Sequence, residues 1–152
     1  LDRSLGNVAE NTDAPRRSIY LPINRSALYE MFSTFDYVET ANHIEQRPVT
    51  TVPQQALFLL NSPMVHEQAR RLASQVLSHS SADEGDVPLI AELFQRLYGR
   101  LPDDAEAQRS NLFLSEADQL LGHVTDPQER RLQAWAGLCR TLMAGNEFVY
   151  VD

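Results

Sequence analysis

The sequence predicts an all-α fold, and three observations carry the prediction. Helix start signals recur through the second half of the chain, at Ser62-Pro63, Asp103 with Glu106, and Asp126-Pro127 with Glu129. Between them apolar residues repeat at three- and four-residue spacing, the period of a helix buried on one face. Extended character is confined to Ser18–Ile23 (SIYLPI), where Pro22 removes a ladder donor and restricts the segment to an edge or an isolated extension. The expected architecture is an irregular antiparallel helical bundle of about five or six helices with an extended N-terminal arm.

Each element follows from its residues. Residues 1–15 (LDRSLGNVAENTDAP) are polar and broken by Gly6 and Pro15. With SIYLPI they form an extended arm over 1–25. Ser26–Phe32 reads as a short helix. Phe35–Pro53 (FDYVETANHIEQRPVTTVP) shows little periodicity, and so long a connection in a compact domain is either functional or packed tightly on the core. It is expected to be an ordered loop over 35–53. Thr51 with Gln54 has the spacing of a capping box and starts a helix that is apolar on nearly every side, QALFLLN, a segment expected near the centre of the domain. Asn61-Ser62-Pro63 breaks it and caps the next helix, whose stripe is Val65, Ala69, Leu72 and Val76, thickened by Ala73 and Leu77. His79–Val87 is a polar loop, and Asp86 before Pro88 marks another start. Ile90, Leu93, Phe94 and Leu97 make the following stripe. Phe113, Ala117, Leu120 and Leu121 come next, then Leu132, Trp135, Ala136, Cys139, Leu142 and Met143. Gly122 and Gly145 stand where helix ends favour a left-handed residue. The terminal Phe148 and Tyr150 alternate with smaller or polar residues and are expected to fold back onto the bundle. The whole reads as one helical domain over 1–152, with its helical core over 51–145, excised from a larger domain.

Composition bounds the function. A chain of 152 residues with 43% apolar and 22% charged residues can bury a core. No apolar run approaches the roughly 20 residues of a membrane helix, so membrane insertion is not expected. The net charge of −8 opposes nucleic acid and anionic membrane surfaces as partners. A helical DNA-binding module, which the turn at Asn61-Ser62-Pro63 invites, is disfavoured on the same ground. All 13 basic residues are arginine. That suits forks for carboxylate, sulfate or phosphate groups, although codon bias in a GC-rich genome is the plainer explanation. Cys139 is the single cysteine, so there is no disulfide framework, no zinc pattern and no C-x-x-C-H haem site. No cofactor is expected.

Several groups have the residue types of a site. His66-Glu67 opens an H-E-x-x-H pattern, but Arg70 stands where the second ligand belongs and cannot bind a metal. Both are read as the solvated start of a helix. Asp36, Glu39, His43, Glu45 and Arg47 share the long loop, a set that suits acid–base or glycosidic chemistry. Arg16, Arg17 and Arg25 flank the apolar strip of the arm, where a sugar, sulfate or acidic partner would meet them. Pairing with Asp36, Glu39 or helix ends, which pins the arm, is the preferred reading of these arginines. Arg16, Arg17, Arg25, Asp36 and Arg47 are the candidate binding residues. No residue is assigned a catalytic role, and none a metal. Gln54, Gln55 and Asn61 bracket the apolar helix and are expected to satisfy loop backbone. Cys139 shares the Trp135 face and reads as a small buried hydrophobe.

Blocks spread along the chain resemble one family. They are LDRSLG (1–6), RRSIYLPINR (16–25), FD (35–36), RPVTTVPQQALFLLNSPMV (47–65), LYGRLPDDAE (97–106) and AWAGLCRTLMAGNEFVYVD (134–152). Together they resemble the C-terminal part of a planctomycete-specific domain of unknown function, found in secreted multidomain proteins that also carry a cytochrome-c-like domain. The resemblance implies an extracytoplasmic location and a larger parent protein, with a tie to polysaccharide breakdown by gene neighbourhood. It transfers no catalytic residues. The expectation is a non-catalytic structural or interaction module whose partners are other domains of the parent or an extracellular glycan. The alternative is part of an extracellular enzyme acting on polysaccharide, with the 35–53 loop lining a cleft.

Overall fold

The computed structural model describes residues 30–35, 53–79 and 85–149. Their regular structure is entirely helical, as the stripes require. The helices are α1 (Glu30–Thr34), α2 (Pro53–Asn61), α3 (Pro63–Leu77), α4 (Val87–Tyr98), α5 (Asp104–Leu120), α6 (Pro127–Met143) and α7 (Asn146–Val149). The chain divides into two compact units, Leu1–Phe58 and Leu59–Asp152, with the boundary inside α2. The arm over 1–25 and most of the 35–53 loop, including Thr51 of the expected capping box, lie outside the described residues, as does Tyr150.

In the first unit Phe32 of α1 is buried. Gln55 is also buried, and its Nε2 donates to the Thr34 carbonyl at 3.1 Å. That bond serves an orphan carbonyl at the end of α1, whereas the loop backbone that Gln55 was expected to satisfy lies outside the described residues. Gln54 and Asn61 are exposed. Phe35 and Phe58 meet edge to face, with centroids 6.0 Å apart and an interplanar angle of 80°.

The second unit holds a core built by α3, α4, α5 and α6. Val65, Ala69, Ala73 and Val76 of α3, Leu89, Ile90, Leu93 and Phe94 of α4, Leu114 of α5 and Ala134, Trp135, Leu138, Cys139 and Met143 of α6 form one buried cluster. The α3–α6 contact is the most extensive, and α6 touches α3, α4, α5 and α7 in turn. Polar contacts fix the helix directions. Along α3 and α6, His66 meets Arg140 and Arg70 meets Glu129, so these helices are antiparallel. Gln75 meets Arg96 and His79 meets Glu92, so α3 and α4 are antiparallel too. Asp86 meets Arg131 and Tyr98 meets Leu142, so α4 and α6 are parallel. This is the bundle that short connections predict.

The ends show which local signals formed. Asp103 and Glu106 make the full capping box: Glu106 N donates to Asp103 Oδ1 at 2.6 Å, and Asp103 N donates to Glu106 Oε2 at 2.8 Å. Asp126 caps α6 by accepting from Gln128 N at 3.0 Å. Glu129 does not complete a box there, because Arg70 of α3 holds its carboxylate. Ser62 and Asp86 stand at N-cap positions without a side-chain cap bond. The carboxylate of Asp86 is taken by Arg131 at 2.6 Å. Gly122 and Gly145 do not take the left-handed conformation expected of them. Gly99 does, at φ 72° and ψ 9°, and it ends α4.

Three burial expectations are corrected. α2 is not central throughout: Leu57 is 59% exposed, Leu60 is exposed as well, and of its apolar residues Leu59 packs on the core of the second unit. Apolar composition states what can be buried, not which faces receive a neighbour. On α5 the inward face is Ser110, Leu114, Phe113, Ala117 and Leu121, leaving Leu120 80% exposed. The tail forms the helical turn α7 and does fold back onto α4 and α6, but Phe148 is 40% exposed. Electrostatics adds to the hold on α7. Arg100 donates Nε and Nη2 to the two Glu147 oxygens at 2.6 and 2.7 Å, and Nη1 and Nη2 to Glu106 at 2.7 Å each. The guanidinium also lies over Phe94 and Tyr98, 5.8 and 5.6 Å from their centroids.

Candidate functional site

The five residues singled out by sequence, Arg16, Arg17, Arg25, Asp36 and Arg47, lie outside the described residues, together with Glu39, His43 and Glu45. Among the described residues, clefts open at two places within the second unit that bear on function.

The first lies where α3 and α6 run side by side. It has a volume of about 480 Å³ and is lined by His66, Glu67, Ala69, Arg70, Gln133, Ala136, Gly137 and Arg140. The helical period places these residues: 66, 69 and 70 share one side of α3, while 133, 136, 137 and 140 share one side of α6. The lining is apolar at its floor because alanine and glycine keep the helices close. Gly137 is closely approached on its other side too, since a Cβ there would stand 3.3 Å from Phe113 Cζ. Arg70 donates through Nη1 and Nη2 to Glu129 at 2.9 and 2.7 Å, and Gln133 Nε2 donates to Glu129 at 2.7 Å. The Arg70 bond first, and the Gln133 bond second, hold the Glu129 carboxyl down at about 2. Arg71 holds Glu67 at 2.5 Å, one turn away. His66 Nε2 lies 2.8 Å from the Leu60 carbonyl, a contact that requires the proton on Nε2. Arg140 Nη1 lies against the ring, 3.0 Å from Nε2 and 3.3 Å from Nδ1.

The second cleft, about 590 Å³, opens between α5 and α6 beside the start of α4, over Leu114, Ala134 and Trp135. Its rim carries two ion pairs, Arg131 with Asp86 at 2.6 Å and Arg130 with Asp118 at 3.3 Å. Trp135 is buried and serves as floor, not as a stacking platform.

The reactive groups are restrained by their surroundings. His66 and Glu67 do not converge with a third ligand, and among the described residues no group of three His, Cys, Asp or Glu side chains is placed to hold a metal ion. Burial pushes the Cys139 thiol up to about 12, so it is a core hydrophobe as read from its stripe. The Arg100 bond first, against the cost of burial, holds Glu106 down at about 2. Arg100 likewise lowers Glu147, and His79 with Arg96 lowers Glu92 against the desolvation that opposes them most. The carboxylates that depart from their ordinary range all depart downward. Chemically, these carboxylates hold charge in place on the described surface.

The family model for PSD1, described as a protein of unknown function (DUF1553), matches residues 4–114, well over half of the chain. The chain belongs to the PSD1 family. The PSD1 match takes in α1 through α4 and ends at Leu114 in α5. The blocks at 134–152 that also carry the resemblance lie beyond it. No curated protein and no solved structure matches the chain. Among the described residues no helix is long and apolar enough to cross a membrane. Sequence reasoning did not find the His66–Arg140 cleft. The available signal was Arg140 itself, a lone charge in the otherwise apolar run from Ala134 to Met143.

Proposed function

We propose that this PSD1 chain is a non-catalytic structural or interaction module of a larger extracytoplasmic protein. The observation that carries the reading is the pairing of the carboxylates at both clefts. Glu67, Asp86, Asp118 and Glu129 are each held by an arginine. A general acid or base needs a pKa near the working pH and freedom to meet substrate. Glu129, held at about 2 by Arg70 and Gln133, has neither. Such pairs instead fix the surface of the second unit in one shape, which suits recognition. Its partners in this reading are the other domains of its parent, a cytochrome-c-like domain among them, and an extracellular glycan. The arginine-only basic set favours acidic or sulfated sugars through planar, two-pronged bonds.

The test uses the intact parent protein and this chain in parallel. Each is screened for binding on a glycan array, and each is incubated with the polysaccharides that bind while new reducing ends are measured. The module reading expects binding without release of reducing ends. Turnover that is lost in Asp36→Asn or Glu45→Gln would overturn it and establish the enzyme reading of the 35–53 loop.

A further inference from the structure

We propose that the α3–α6 cleft binds a small molecule bearing a single carboxylate, with Arg140 as its charge partner. The charge inventory of the cleft leads there. Arg70 is taken by both oxygens of Glu129, and Glu67 is taken by Arg71. Arg140 has no carboxylate among the described residues. Its Nη1 lies 3.0 and 3.3 Å from the two ring nitrogens of His66, and its Nε is buried without any hydrogen-bond partner. The last turn of α6 gives this cation a favourable dipole but no counter-ion. A half-buried guanidinium with an unused buried donor and no acid stands out in a chain of net charge −8, where Arg70, the other arginine lining the cleft, is neutralised by Glu129.

The shape narrows the ligand. The cleft, about 480 Å³, is of the size that holds a sugar or a short aliphatic chain. One uncompensated cation calls for a monoanion. The floor of Ala69, Ala136 and Gly137 accepts an apolar face, and Gln133 at the edge offers a polar contact. A sugar acid and an aliphatic acid share this chemistry, and the experiment separates them. The proposal stands on the cleft alone and does not depend on the module reading.

Galacturonate and hexanoate, each against sodium chloride at matched ionic strength, are titrated into the full chain labelled with nitrogen-15. The Arg140 Nε–H cross-peak is followed. The expected result is a saturable shift with at least one acid, with Kd on the order of 1 mM. Arg140→Gln should weaken binding at least about tenfold, the loss of one charge-assisted contact. Because that variant could disturb α6, Ala136→Glu provides a second arm. It places a carboxylate one turn before Arg140, in the favourable i to i+4 order, so it should fill the site and abolish binding without lowering the melting temperature. Saturation by galacturonate alone assigns sugar acids, and by hexanoate alone aliphatic acids. No saturable shift with either acid, or undiminished affinity in both variants, would overturn the proposal.

Discussion

Replacing Leu138 by alanine tests the core and its register together, with Leu120→Ala as its partner measurement. Leu138 is 3% exposed on α6, inside the cluster that α3 and α4 complete. Truncation to alanine removes roughly three methylene equivalents, about 2.4 kcal/mol of transfer free energy. The neighbours are a tryptophan and helix-borne aliphatics that cannot collapse fully into the gap, which adds about 1 kcal/mol or more for the cavity. The expected loss is therefore ~3–4 kcal/mol, or a fall of about 10 °C in Tm for a chain of this size. Leu120 is the same residue type on a neighbouring helix, but it is 80% exposed. Its truncation should change stability by no more than about 0.5 kcal/mol, since alanine is also the better helix former. Urea unfolding followed by circular dichroism at 222 nm measures both. Equal losses at the two positions, or a loss below about 1 kcal/mol for Leu138→Ala, would refute the register given to α5 and α6.

Three further outcomes follow from particular contacts. Asp103→Ala breaks a formed capping box and should cost about 1 kcal/mol, whereas Ser62→Ala removes no cap bond and should cost distinctly less in the same urea titration. Glu106 and Glu129 sit at about 2 when folded, below the ordinary carboxylate value. The stability they confer is therefore complete above about pH 4.5 and is lost as pH falls toward 2. A Tm that stays flat from pH 5 to pH 2.5, or one whose acid slope is untouched by Arg70→Gln, would contradict this. Cys139, with its thiol at about 12, should resist Ellman's reagent at pH 8 until the second unit unfolds. Labelling faster than global unfolding would show that the thiol is not in the core.

What could be read from the sequence was what depends on neighbours three or four residues away. The stripes of α3 and α4 were correct because each alternates a dense apolar face with a charged one, while that of α6 left out Ala134 and Leu138, both buried. The stripe of α5 was misassigned at one position, because Leu112 and Leu120 add leucines outside its buried face and blur the period. The same limit explains the caps. Asp103 and Glu106 need only each other, so their box formed. Glu129 had the right spacing but met Arg70, a partner 59 residues away, and left its own helix end. Ser62, likewise, has cap chemistry but makes no cap bond. The glycines show the opposite error, since Gly99 carries the left-handed turn while Gly145 is small for another reason: a Cβ there would lie 3.1 Å from the Tyr98 hydroxyl. The cleft was illegible because it exists only once α3 and α6 lie antiparallel.

The position of α6 in the chain has a consequence for synthesis. The helix that touches α3, α4, α5 and α7 leaves the ribosome after the three long helices it covers, and its contacts with α3 span 74 residues between His66 and Arg140. Until residues 127–143 emerge, the α3 face of Val65, Ala69, Ala73 and Val76 lacks its main cover. Loop closure over that distance must precede the gain from burial. The nascent chain therefore carries a sticky helix from the synthesis of α3 to that of α6, and its need for a chaperone should end abruptly when α6 clears the exit tunnel.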